Sequence, residues 1–146
     1  MLKRTSTAVW HGNGLKGTGS ITTLSGALKE QPYGFNTRFA SEDGKAGTNP
    51  EELIAAAHSA CFTMALAFQL SGAGHEPTEL RTVATVDMDK EGAGWAIKAI
   101  HLVVAGTVPG VDAATFAELA KTAKENCPIS KALAAVGTIT LEATLS

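Results

Sequence analysis

Hydrophobic positions in the first forty residues come in short, β-favouring stretches interrupted by glycine and polar residues. Residues 5–10 and 19–24 are two such stretches, and the HGNGLKG between them supplies turn chemistry, so they predict an antiparallel hairpin. In the following QPYGFNTRF, Pro32 and Gly34 mark a turn. Phe35, Thr37 and Phe39 alternate with Asn36 and Arg38, which predicts a short strand with Arg38 projecting opposite the two phenylalanines.

A polar loop then leads into a helix start. Asn49 suits the cap, Pro50 the first helical position, and Glu51 and Glu52 complement the helix dipole. From Leu53 to Gly74 the chain carries no Asp, Glu, Lys or Arg, and the helix is expected to stop near Gly72. Seven alanines together with His58, Ser59, Thr63 and Gln69 make this run only mildly apolar, which argues against a membrane span. A helix apolar all round is one surrounded by protein, and in so small a chain that requires wrapping by sheet or by a second subunit.

Residues 79–89 and 95–108 are alternating or β-branched runs joined by KEGAG, a hairpin pattern that predicts the longest strands. Asp112 then caps an amphipathic helix with Phe116, Leu119 and Ala123 at helical spacing. A second, short helix starts at Pro128, and GTITLEATLS alternates as a closing strand. This order predicts an α+β fold in which antiparallel pairing dominates, because the connections look hairpin-like.

Composition narrows the picture. With 146 residues, 45% of them hydrophobic, a single domain over residues 1–146 with one core is expected. A net charge of −2 and no block of five like charges make nucleic acid and acidic membranes poor partners. MLKRTSTAVW has no apolar stretch of the length a secretory signal needs, so a cytoplasmic protein is expected.

Two cysteines are too few for a disulfide framework; in a reducing compartment such a pair is catalytic, redox-sensing or merely buried. Cys61 lies inside the charge-free helix, where a small core residue is a sufficient explanation. Cys127, directly before Pro128, stands at the expected N-cap of a helix, where the dipole and unpaired amides favour a thiolate. A reactive cysteine also needs a cation to hold it ionised, and Arg38 is the best candidate. Glu51 is a candidate carboxylate to orient it, with Glu52 as competitor. Glu51 and Cys61 lie about 15 Å apart along one straight helix and about 80° apart around it, so they cannot touch. Arginine's length, or a group from another chain, has to bridge them.

His58, three residues before Cys61, raises a Cys-His acyl-transfer dyad as an alternative, although no third member or oxyanion motif accompanies it. The plainer reading is a packed histidine bonding a polar neighbour. His11, His58, His75 and His101 are scattered, and no CxxC, HxxxH, GxGxxG or P-loop pattern occurs, so no metal, dinucleotide or other cofactor is implied.

Taken together, QPYGFNTRF, GTNPEELIAAAHSACF and NCPISKAL resemble the OsmC/Ohr family of thiol-dependent peroxidases, the OsmC branch in particular. The resemblance spans essentially the whole chain, and His58 fits it. It implies antiparallel strands wrapped around a long central buried helix in an intertwined homodimer. By the resemblance Cys61 is the peroxidatic cysteine, Cys127 the resolving one, Arg38 the activating arginine and Glu51 its carboxylate partner. The Ohr branch keeps its arginine in a GGR-type motif nearer the amino terminus, so the equivalence of Arg38 rests on FNTRF. Organic hydroperoxides as substrates, with hydrogen peroxide used less well, a lipoylated protein as dithiol reductant, and a role in oxidative and possibly osmotic stress defence are implied with it. A non-catalytic redox sensor or a protein binding apolar ligands is the alternative from another class.

Overall fold

A computed structural model describes residues 1–146. In chain order the elements are β1 (Ser6–His11), β2 (Thr18–Thr23), β3 (Gln31–Tyr33), a π-helical turn (Asn36–Ala40), α1 (Pro50–Gly72), β4 (Glu79–Glu91), β5 (Gly94–Thr107), α2 (Ala113–Asn126), α3 (Pro128–Ala132) and β6 (Thr138–Leu145). The chain is α+β and divides into two compact units, Met1–Leu53 and Ile54–Ser146.

In the first unit β1, β2 and β3 form an antiparallel sheet in that order. Asn13 shapes the β1–β2 turn by accepting from the amides of Leu15 and Lys16 at 3.1 and 2.8 Å. Trp10 and Tyr33 approach each other across Gly19, with ring centroids 5.6 Å apart. A Cβ at Gly19 would lie 2.4 Å from Tyr33 Cε1 and 2.7 Å from Trp10 Cε3, so only glycine admits both rings.

Residues 35–39 are not the expected strand. Phe35 and Phe39 also stand at i, i+4, so the same pattern serves a helical turn, and local hydrogen bonds decide between the two. Thr37 Oγ1 accepts from the Gly34 amide and donates to the Gly34 carbonyl, both at 3.0 Å, and the Arg38 amide donates to that carbonyl at 3.2 Å. The two phenylalanine rings then pack 5.2 Å apart, and the Arg38 guanidinium lies over Phe39, 4.9 Å from the ring centroid, rather than opposite it.

In the second unit β4 and β5 form the expected long antiparallel hairpin, but β6 pairs with β5 in parallel, from Ala99 against Thr138 to Gly106 against Leu145. Hairpin-like connections alone are therefore not the rule here: α2 and α3 make a crossover long enough to bring β6 back in the direction of β5. Asp112 caps α2 by accepting from the Thr115 amide and hydroxyl at 2.8 and 3.0 Å, and the amide above all holds its carboxyl below the usual range.

One face of this sheet is packed. Leu102 and Val104 of β5 meet Phe62, Leu66 and Leu70 of α1 and Phe116, Ala120 and Ala123 of α2 in one cluster that includes Cys127. Phe116 packs closely against Gly106, where a Cβ would come 2.6 Å from its Cζ. Gly106→Ala is accordingly expected to cost about 1–3 kcal/mol through overpacking, read as a lowered midpoint in denaturant at unchanged slope.

α1 has the length and composition of a membrane span. Its buried side chains, however, are His58, Phe62, Leu66 and Leu70, a single stripe at four-residue spacing that joins the protein core. Within one chain the burial expected all round is confined to that stripe, and Phe68 and Met64 stay 72% and 63% exposed.

Candidate active site

In the second unit, α2 ends at Asn126 because Pro128 steers the residue before it into extended backbone, and Cys127 has ψ 120°. Cys127 is then shared by two helices. Its amide donates to the Ala123 carbonyl at 2.8 Å, closing α2, and its carbonyl accepts from the Lys131 amide at 3.0 Å, opening α3. This double attachment holds the side chain fully buried against α1, where its sulfur lies 3.1 Å from that of the partly exposed Cys61.

The two thiols are reduced and unequal. Burial works against ionising Cys127, but the amide of Ser130, Cys61, the hydroxyl of Ser130 and the amide of Ile129 outweigh it and lower its pKa. Cys61 is pushed up, first by burial and then by its contact with Cys127. The pair titrates as a unit. Cys127 donates to Cys61 across the 3.1 Å contact, and the direction reverses once Cys127 has lost its proton. No cationic side chain acts on Cys61 from within this unit.

His58 faces the same corner and is fully buried. Its Nε2 pairs with Ser130 Oγ at 2.7 Å, while its Nδ1 has no partner. Burial first, and the positive charge of Lys124 second, lower its pKa and keep the ring neutral. His58 is thus the packed histidine with a polar neighbour, and it forms no hydrogen-bonded dyad with Cys61. Ser130 escaped sequence reading because its partner lies 72 residues away. Its place three residues after Cys127, in the first turn of α3, was the available signal.

In the first unit, Arg38 and Glu51 form an ion pair. Nη2 donates to Oε1 at 2.7 Å, and Nε donates to Oε2 and Oε1 at 3.1 and 3.2 Å. Glu52 does not compete, because it belongs to the cap of α1: its amide donates to Asn49 Oδ1 at 2.8 Å, and Thr48 Oγ1 donates to its carboxylate at 2.6 Å. Asn49 Nδ2 reaches back to the Thr37 carbonyl at 3.3 Å and ties the arginine turn to the helix start. With Arg38 37% and Glu51 12% exposed, the pair adds little stability, and its consequence is orientation of the guanidinium. The four anticipated residues are therefore seen as two pairs, Cys61 with Cys127 and Arg38 with Glu51.

The remaining histidines gather no metal-ligating group. His101 bridges Thr140 Oγ1 and Asp87 Oδ2, at 2.6 and 3.0 Å, on the exposed sheet face.

The OsmC-like protein family model matches residues 42–142 of this chain. The peroxiredoxin OsmC of Escherichia coli is 52% identical over 128 residues, covering 88% of this chain and 87% of that protein. The organic hydroperoxide resistance protein OhrB of Bacillus subtilis is 34% identical over 115 residues, covering 78% of this chain and 80% of that one. Among solved structures, an organic hydroperoxide resistance protein from Elizabethkingia anophelis superposes with a TM-score of 0.67 at 27% identity, covering 100% of this chain and 97% of that one.

Proposed function

The chain belongs to the OsmC family, and from that premise we propose that it is a cysteine-based peroxidase that reduces organic hydroperoxides in preference to hydrogen peroxide. The observation that carries this reading is the 3.1 Å contact between a partly exposed and a buried reduced cysteine, one on a helix and the other between two helices. A disulfide needs its sulfurs at about 2.05 Å, so the bond can close with a shift of about an ångström.

In the cycle, the Cys61 thiolate attacks the terminal peroxide oxygen. The O–O bond breaks, its electron pair leaves with the alkoxide, which takes up a proton as alcohol, and Cys61 becomes a sulfenic acid. Cys127, the more acidic thiol of the pair, attacks that sulfur as thiolate, and hydroxide leaves as the disulfide forms. A dithiol, by resemblance the lipoyl group of a carrier protein, then reopens the disulfide by exchange. Arg38, oriented by Glu51, supplies the positive charge that Cys61 lacks within its own unit and stabilises the peroxide oxygens as the bond breaks. The uncovered apolar stripe with Met64 and Phe68 supports a homodimer in which a second chain covers α1. We place the protein in the cytoplasm, in defence against oxidative stress.

Steady-state turnover of cumene or tert-butyl hydroperoxide and of hydrogen peroxide, with dihydrolipoamide and then thioredoxin as reductant, tests the reading. The organic peroxides with dihydrolipoamide are expected to be fastest. Inactivity with every pair would leave a redox sensor instead.

Cys127→Ser is expected to complete one turnover and then stall, with Cys61 carried on to sulfinic and sulfonic acid under excess peroxide. Mass spectrometry of the treated variant reads this directly. A Cys61 that stays at the thiol or sulfenic level would remove Cys127 from the resolving role.

A further inference from the structure

The catalytic cycle leaves one buried titratable group unused. His58 is fully enclosed, bonded through Nε2 to Ser130, and its Nδ1 is the one buried side-chain nitrogen or oxygen without a partner. That orphan decides the tautomer. A proton on Nδ1 would bury a donor with nothing to receive it, whereas a bare Nδ1 leaves only an unused lone pair. The proton therefore sits on Nε2, and His58 donates to Ser130 Oγ.

The consequence passes to Ser130. A serine hydroxyl has a single proton, and in the opposite tautomer that proton would be spent on His58. With His58 donating, the hydroxyl keeps its own proton, and the buried Cys127 stands three residues earlier, at the mouth of α3. Lys124 on α2 is the charged side chain whose field reaches the imidazole, and it disfavours a second proton there. The direction of donation is thus maintained at neutral pH.

Opening a disulfide requires one sulfur to be attacked and the other to leave, and the better-stabilised thiolate leaves faster. Cys127 is enclosed and Cys61 is partly exposed, so access and leaving ability select the same arrangement. We propose that His58 and Ser130 are positioning residues, forming a one-way hydrogen-bond relay from His58 Nε2–H through Ser130 Oγ–H to the Cys127 sulfur that readies Cys127 as the group expelled when a dithiol opens the Cys61–Cys127 disulfide. In that step a thiolate of the reductant forms a bond to Cys61 sulfur, and the Cys61–Cys127 bond breaks with its electron pair going to Cys127. The second thiol of the reductant, deprotonated, then attacks its own sulfur in the mixed disulfide and releases Cys61 as thiolate. This rests on the disulfide cycle proposed above.

Cys61→Ser leaves Cys127 as the chain's one cysteine, so thiolate ultraviolet absorbance against pH titrates it alone. Adding Ser130→Ala in this background is expected to move the titration up by about one to two units, the loss of one hydrogen bond to a charged group. His58→Leu should move it in the same direction, and His58→Gln, which keeps an N–H donor, should restore most of the shift. In the two-cysteine protein, Ser130→Ala should slow opening of the preformed disulfide by dihydrolipoamide about three- to eightfold. A purely structural role would lower the melting temperature and leave the titration where it was. An unmoved titration in folded Ser130→Ala overturns the relay, whether or not His58→Leu folds. Because the titration needs no peroxide, inactivity toward every hydroperoxide would count against the peroxidase reading and not against the relay.

Discussion

Cys61→Ser is expected to bring hydroperoxide turnover down to the uncatalysed rate while the protein stays folded. The reaction needs a nucleophile that ionises near neutral pH and whose oxidised form can be trapped by a second sulfur, and a serine hydroxyl meets neither requirement. Cys127 cannot substitute for it. Although more acidic than its neighbour, it is fully enclosed between α2, α3 and α1, and a bulky alkyl peroxide has no approach to it. Acidity and access are thus divided between the two sulfurs: the partly exposed one is Cys61, and the more acidic Cys127 lies 3.1 Å behind it. The check is steady-state peroxide consumption with excess dithiol, alongside a thermal melt. Turnover retained by the folded variant would sink the assignment of Cys61.

Those parts of the fold encoded by neighbouring residues were legible in the sequence. Asn49, Pro50 and the two glutamates mark the start of α1 because capping is settled within one turn, and the β4–β5 hairpin is readable from two alternating runs around KEGAG. The parallel pairing of β6 with β5 was not, because nothing within β6 states which strand it will meet or in which direction. FNTRF misled for a different reason: Phe35 and Phe39 fit period two and the four-residue helical spacing alike, and Thr37, by bonding both polar groups of Gly34, chooses the turn. At the site, the roles of the cysteines came from resemblance, whereas their inequality is a property of the folded corner. Ser130 and the direction of its proton depend on a histidine 72 residues away, which no local pattern announces.

Arg38→Ala is expected to lower the rate of reaction with hydroperoxide at neutral pH by about 10²–10³-fold, the usual loss when a preorganised donor to developing charge is removed. The starting point is the state of Cys61 without a cation: burial and the Cys127 contact both hold its proton on, so at neutral pH the thiolate is the minor form. In the proposed site a guanidinium beside the sulfur would reverse this by favouring the charged form, and would meet the oxygens as the O–O bond lengthens. Loss of the arginine should therefore change the shape of the pH profile as well as its height. The wild-type rate should level off once Cys61 is ionised, whereas the variant's should still be climbing at pH values where the wild type is flat, because its thiol ionises only at higher pH. Glu51→Gln keeps the cation and loosens its aim, since one amide oxygen replaces the carboxylate that now accepts from both Nε and Nη2; a smaller fall with little displacement of the profile is expected. Stability should change by no more than about 1 kcal/mol in either variant, because the ion pair is partly exposed. Stopped-flow rates across pH separate the cases: a profile lower yet unshifted would confine Arg38 to the oxygens, and a rate unchanged in both variants would remove the arginine from the site.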